Sequence, residues 1–455
     1  MKYPIERKVS AVHIRSKGGL ITARARIQRI ACSSHSHETG INRRLRRWLG
    51  RELPLLKGEI SASAARCEAD RYRKHFDSFA HACLLIFHGL SGNQSLRQSY
   101  TAFPACPGLA QYSGLAKSED PEGIGVSFSQ FAESNTTRSA AFLAGIVPSL
   151  IARVRQEGKL PQGSLPPHLH IVDSTFLRLS LLLAPWLPSN NKADVPGMRI
   201  QLQYAPALDL PEHVIINDTR TSDQKGLDQI LLDDPTRLAE MSGQTLVTDL
   251  GYYSHRRFRR LLAAGVHLVT RLHPQARVHV EEWLPVQQSL PTFPSGRIAV
   301  ISDQRVRVGP SDNRVCGLRL VTAQVEPLPK AARRGAQPVL YRVLTDRFDL
   351  TAPEVVQIYL WRWRIELFLR WLKCYVHLSR LLGYSRNAVE LSVWLAIVVH
   401  LLTVLATLSL GLSRRSPALL RQMVWVLAHV KPAGDEDHPT QAYQFPLWGP
   451  DPPDP

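Results

Sequence analysis

Between Thr245 and Leu272 the chain spells out one supersecondary unit. Thr245 to Thr248 is a short β-prone run, and Asp249 and Gly251 follow it. Ser254 is placed to cap a helical stretch from Arg256 to Ala264, Gly265 to end it, and Val266 to Leu272 returns to β texture. A strand, helix, strand order belongs to α/β folds, which restricts what the rest of the chain can build. Further β-rich runs precede it at His170 to Val172, Met198 to Tyr204 and His213 to Ile216. After it, alternating patterns at Arg277 to Val280, Arg297 to Ile301, Arg305 to Val308, Gly317 to Thr322 and Val339 to Leu344 read as more strands.

These textures divide the chain. Residues 1–60 form a basic, turn-rich arm that ends in Arg43-Arg44-Leu45-Arg46-Arg47-Trp48, loosely folded or DNA-contacting. Residues 61–160 read as a helical N-terminal domain, from the spacing of Phe76, Phe79, Ala80, Cys83, Leu84 and Phe87 and from a second helical stretch at Ser127 to Arg155. An α/β domain covers 161–275, a β-rich insertion 276–345, and helices of the same domain 346–431. The tail 432–455 has the composition of a disordered segment.

Size and charge narrow the function. A chain of 455 residues has room for two to four domains, and a formal charge of +18 favours a polyanionic partner, nucleic acid or an anionic membrane. Six scattered cysteines without a paired spacing argue against a zinc site or a disulfide framework and fit a reducing cytoplasm. The basic N-terminus lacks the apolar core of a signal peptide. The run Leu391 to Leu412 is long enough to span a bilayer, but it follows a charged amphipathic helix, so a buried core helix is the expectation.

The most informative stretch is Tyr359-Leu-Trp-Arg362-Trp-Arg-Ile-Glu366-Leu-Phe-Leu-Arg-Trp-Leu-Lys373. As one helix, at about 100° per residue, it gathers Tyr359, Arg362, Glu366 and Lys373 within roughly 60° of one another. Leu360, Trp361, Leu367, Phe368, Trp371 and Leu372 form an opposing apolar stripe. On spacing alone, Arg362 and Glu366 could be an ordinary surface ion pair four residues apart. The whole pattern Y-x-x-R-x-x-x-E-x-x-x-x-x-x-K resembles the signature of the insertion-sequence-four family of DDE transposases at all four fixed positions. Upstream, His170-Ile-Val-Asp173-Ser-Thr175 resembles that family's first acidic motif. Leu246-Val-Thr-Asp249-Leu-Gly251 resembles its second.

The resemblance extends over residues 70–410 and implies a ribonuclease-H-like catalytic domain with a β-rich insertion and a helical N-terminal DNA-binding domain. It implies three metal-holding catalytic acids, Asp173, Asp249 and Glu366, with Tyr359, Arg362 and Lys373 on DNA phosphates. Two Mg²⁺ ions, replaceable by Mn²⁺, would be the cofactors, as carboxylates suit hard cations. By the same resemblance Asp173 bridges both ions, water attacks first, and the freed 3′ hydroxyl attacks afterwards. The implied partners are transposon inverted-repeat ends and target DNA, bound by a homodimer in the cytoplasm, with no membrane role.

Other features carry less. Trp283 in the insertion could stack on a flipped base, but a core tryptophan is the simpler reading. The run Arg256-Arg257-Phe-Arg259-Arg260 reads equally as a DNA contact or a solvated face, and His35/His37 and His168/His170 as incidental pairs. No phosphate loop, dinucleotide fingerprint, H-E-x-x-H or G-x-S-x-G is present. The rival expectations are a DNA-binding descendant that has lost catalysis and a membrane-associated protein.

Overall fold

The computed structural model describes residues 40–428 except 72–74, 93–94, 118–122, 159–165, 167, 188–195, 287–296, 328, 377 and 413–415. The expectations for residues 1–39 and for the tail beyond 428 lie outside the described residues.

Seven helices open the described chain: α1 (Gly40–Arg66), α2 (Ser78–Ser91), α3 (Leu96–Ala102), α4 (Pro107–Tyr112), α5 (Phe128–Thr137), α6 (Ala141–Ala144) and α7 (Val147–Glu157). Helix α1 corrects the expectation of a loose basic arm as far as residues 40–60 are concerned. The arginine cluster lies on it, and Leu45, Trp48, Leu49, Leu56 and Ile60 bury along its length. Those spacings of three and four put the apolar residues on one stripe, with the arginines between them.

Strands β1 (Leu169–Arg178), β2 (Gly197–Ala205) and β3 (Leu210–Asp218) follow, then α8 (Asp223–Leu227) and α9 (Pro235–Glu240). The strand, helix, strand unit reads β4 (Thr245–Thr248), α10 (His255–Ala263) and β5 (His267–Arg271). Gly265 ends α10 at φ +74°, a backbone region that L side chains avoid. Strands β6 (Val278–Trp283), β7 (Ile298–Val308) and β8 (Val315–Val325), the short helix α11 (Pro329–Ala332) and β9 (Val339–Thr345) come next. Helices α12 (Ala352–Leu360), α13 (Trp363–Cys374), α14 (Arg386–Ser409) and α15 (Pro417–Ala428) complete the described chain.

All nine strands form one sheet, in the order β3-β2-β1-β4-β5-β9-β8-β7-β6. Strand β1 pairs antiparallel with β2 and parallel with β4, and β4 runs parallel to β5. From β9 to β6 every pairing is antiparallel, so the strands of residues 276–345 continue the sheet. The N-terminal helices bury into the same apolar core as β1, β2, α13 and α14.

Helix α14 lies at the centre of that core. By length and composition it could cross a membrane, yet 89% of its apolar window is buried inside the protein. At about 1.5–3 kcal/mol for each fully buried Val, Leu or Ile, this helix contributes a large share of the driving force for folding. Its His400 is fully enclosed, edge-on to Phe368 of α13, with Nε2 donating to the Asp209 carbonyl at 2.8 Å. Burial pushes the His400 pKa down to about 3, which keeps the imidazole neutral in the core.

Trp283 is not a core residue. It stands on β6, the edge strand, with 69% of its surface exposed.

Candidate active site

The two aspartates owe their proximity to strand register. In the parallel ladder of β1 and β4, Val172 is paired with Thr248, so Asp173 and Asp249 are each one residue beyond the same rung. Neighbouring strands are about 4.8 Å apart, and Cβ atoms alternate across the sheet. Asp173 and Thr175 therefore share a face with Ile171, and α13 packs across that face.

The helix that carries the glutamate is broken. Helix α12 starts well defined: Thr351 caps it, its N–H and hydroxyl both donate to Glu354 Oε2 at 2.8 and 2.7 Å, and a proline stands in the first turn. After Leu360 the hydrogen bonds tighten from four residues to three. Arg362 N donates to Tyr359 O at 3.0 Å, Arg364 N to Trp361 O at 2.8 Å and Ile365 N to Arg362 O at 3.2 Å. The expectation of one continuous helix from Tyr359 to Lys373 is thus corrected to two helices joined by a tight turn, with Arg362 at the junction. Phe368 anchors the second helix, stacked on Tyr204 of β2 with ring centroids 4.9 Å apart.

All six residues singled out in the sequence come together there. Arg362 is the hub: Nη2 donates to Glu366 Oε1 at 2.6 Å, Nη1 lies 3.5 Å from Asp173 Oδ2, and Nε lies 3.9 Å from Asp249 Oδ1. Tyr359 donates its hydroxyl to Asp249 Oδ1 at 3.2 Å. Lys373 Nζ donates to Thr175 Oγ1 at 2.6 Å. Asp173 is the deepest of the acids, with 20% of its side chain exposed against 41% for Asp249 and 33% for Glu366.

The electrostatics follow from that crowding. Burial pushes the Asp173 pKa up to about 6; a hydrogen bond from Ser174 and the charge of Arg362 oppose the rise, while Asp249 and Glu366 add to it. Burial also raises the Tyr359 phenol, reinforced by Asp249, so it remains a donor. Burial works against the charge of Arg362, yet Asp249, Tyr359 and Glu366 hold its pKa above the usual value. Desolvation lowers Lys373.

Among the described residues, no group of three or more His, Cys, Asp or Glu stands closed around one point as metal ligands would. Instead the three carboxylates surround one positive charge, the guanidinium. That all-oxygen donor set is of the kind that suits a hard divalent cation.

Several neighbours were not legible from motif spacing. Arg271 is one residue beyond Thr270, which pairs with Thr248, so the third parallel strand brings a cation to the same sheet end as the two aspartates. Ser174, Arg199 and Asp223 form a linked cluster behind Asp173.

Other candidates belong elsewhere. His170 pairs with Glu212 at 2.7 Å; although burial alone would raise the Glu212 pKa, His170 and Arg155 hold it down at about 2. On α10, Arg257 binds Asp228 at 2.8 and 2.5 Å and Arg260 donates to Leu232 O at 2.6 Å, whereas Arg256 and Arg259 are exposed. The basic run is thus half internal brace and half solvated face. Cys67, Cys83, Cys106, Cys316 and Cys374 are free thiols.

The family model described as "Transposase DDE domain" matches residues 166–402, just over half of the chain. A protein of Sinorhizobium fredii bearing the transposase name y4zB is 25% identical over 303 residues, covering 66% of this chain and 75% of its own. A protein of Geobacillus stearothermophilus, named for the transposase of insertion sequence element IS5377, is 24% identical over 237 residues. That match covers 52% of this chain and 56% of the relative, so this chain spans just over half of the relative's length. Among solved structures, the piggyBac transposase synaptic complex with hairpin DNA aligns at a TM-score of 0.40 and 10% identity, over 77% of this chain and 70% of that one.

Proposed function

The chain belongs to the family defined by the transposase DDE domain and is a DNA transposase, and from that premise we propose that it cuts transposon ends and joins them to target DNA with Asp173, Asp249 and Glu366 as its catalytic carboxylates. The observation that carries this reading is the convergence of the three acids on one guanidinium, from residues as far apart in sequence as Asp173 and Arg362. The parallel register of β1 beside β4, with α13 across it, is the arrangement that a ribonuclease-H-like domain would use to bring them together.

Asp173, Asp249 and Glu366 would hold two Mg²⁺ ions, or Mn²⁺ in their place. When bound, such ions supply Lewis-acid chemistry at the attacking and leaving oxygens of a phosphodiester. The protein's own groups do the rest. Tyr359 fixes Asp249 by its hydroxyl, Lys373 lies against Thr175 on the face that carries Asp173, and Arg362 is held by the three acids in the DNA-free state. Arg362, whose fork can take two oxygens, would bind the phosphate beside the cut. Tyr359 and Lys373 contact the same backbone.

By the family resemblance, we assign residues 61–160 to a helical DNA-binding part, 276–345 to a β-rich insertion, and action to a homodimer on paired ends in the cytoplasm. The test uses the DNA flanking the coding region as substrate. The intact chain should nick its inverted-repeat ends only with Mg²⁺ or Mn²⁺, and Glu366→Gln should bind those ends yet fail to cut them. Cleavage retained by Glu366→Ala would overturn the assignment.

A further inference from the structure

We propose that Asp223 is a positioning residue that braces both Asp173 and Asp249 from the side of the sheet away from Arg362; the inference rests on the reading that Asp173 and Asp249 hold metal. Side chains alternate along β1, so Ser174 points away from the face on which Asp173 and Thr175 meet Arg362 and Lys373. On its own side, Ser174 Oγ donates to Asp223 Oδ1 at 2.7 Å, while its backbone N–H donates to Asp173 Oδ1 at 2.8 Å. A single residue thus links Asp223 to the deepest acid of the site.

The brace is itself fixed. Arg199 of β2 donates from Nη1 to Asp223 Oδ1 at 2.5 Å and to Ser174 Oγ at 3.2 Å. Asp223 opens α8, and α8 is tied to the segment after β4. Gln224 Nε2 donates to Tyr253 O at 3.0 Å, and Arg257 of α10 donates to both Gln224 and Asp228.

The second oxygen of Asp223 faces the other aspartate's loop. A Cβ added to Gly251, two residues after Asp249, would be 3.0 Å from Asp223 Oδ2. A side chain at Gly251 would press on that carboxylate. Tyr252 lies between the two motifs, and the negative charges of Asp173 and Asp223 add to burial in raising its phenol. Asp223 therefore bonds to the residue after one aspartate and lies close to the residue two beyond the other. A carboxylate in that place fixes the direction in which both acids present their oxygens.

An ordinary half-buried ion pair of Asp223 with Arg199 would predict little effect on the site. A brace predicts a loss of metal affinity, because partners of first ligands typically contribute about 10–100-fold. The experiment titrates Mn²⁺ into the metal-free full chain by calorimetry for the wild type, Asp173→Asn, Asp223→Asn and the control Glu281→Gln, which breaks a similarly half-buried pair with Arg307. Circular dichroism confirms each fold, and hydrogen exchange is read over residues 169–178 and 245–253.

Asp223→Asn should bind Mn²⁺ about 10–100-fold more weakly, with faster exchange in both segments, while Glu281→Gln binds as the wild type does. Retention of wild-type affinity by Asp223→Asn when Asp173→Asn has lost it would overturn the proposal. So would faster exchange confined to residues 223–227. If the wild type binds no Mn²⁺, or Asp173→Asn binds it unchanged, the metal reading is what fails, and the exchange data alone decide the brace.

Discussion

The guanidinium of Arg362 and the carboxylate of Asp173 lie 3.5 Å apart across 189 positions of sequence, and the same guanidinium is 2.6 Å from Glu366. Arg362 therefore offsets the mutual repulsion of the three carboxylates in the DNA-free state. Its removal leaves three carboxylates facing one another. Arg362→Ala should lower the stability of the metal-free protein by about 1–3 kcal/mol at neutral pH, since breaking a pair strands a poorly solvated charge. Mn²⁺ should then raise the melting temperature of the variant more than that of the wild type. Equal shifts would mean that Arg362 does not compete with metal.

Asp173 gives a pH test with a definite sign. Its carboxyl rises from 3.8 to about 6 on folding, mainly through burial. A raised acid contributes stability below its unfolded value, and that contribution is lost as pH climbs toward the folded value. Asp173→Asn should match the wild type near pH 4 and become more stable than it between pH 4 and 6, by about 2–3 kcal/mol at full effect. Urea unfolding of the metal-free chain at several pH values measures this. A gap that is constant with pH would contradict it.

Lys373 donates at 2.6 Å to Thr175 and is assigned to a DNA phosphate. Loss of one phosphate contact reduces the salt dependence of binding by about 0.9 in the log–log slope. Lys373→Met should show that reduction on a plain duplex while its melting temperature stays within a few degrees of the wild type. An unchanged slope would remove Lys373 from the DNA surface.

Helix α14 supplies a test of the core. A Cβ on Gly89 of α2 would be 2.8 Å from Val399 Cγ2. Gly89→Val should destabilise the chain by about 1–3 kcal/mol through overpacking, as read by chemical unfolding. A helix that lay in a bilayer away from α2 would not respond.

The three acids could be picked out before any coordinates, because Asp173, Asp249 and Glu366 stand in short local patterns, although the strand of Asp173 runs on to Arg178 and the helix of Glu366 starts afresh at Trp363. What could not be read depends on packing across the chain. The break at Trp361 and Arg362 has no Pro or Gly to announce it; it shows only as hydrogen bonds that shorten their span. Arg199, Asp223 and Arg271 reach the site through strand register and through α8, which no sequence spacing encodes. Trp283 reads as core by its hydrophobicity, yet its position on the edge strand exposes it. In α1 the arginines drew attention from Leu45, Trp48 and Leu49, whose spacing carries the helix.

The central claim is that Asp173, Asp249 and Glu366 converge to hold divalent metal. Anomalous diffraction from crystals soaked in Mn²⁺, with wild type and Arg362→Ala side by side, tests it directly. Mn²⁺ peaks within coordinating reach of oxygens of all three acids are the expected result. Peaks elsewhere, or three acids without metal even after Arg362 is gone, would contradict it.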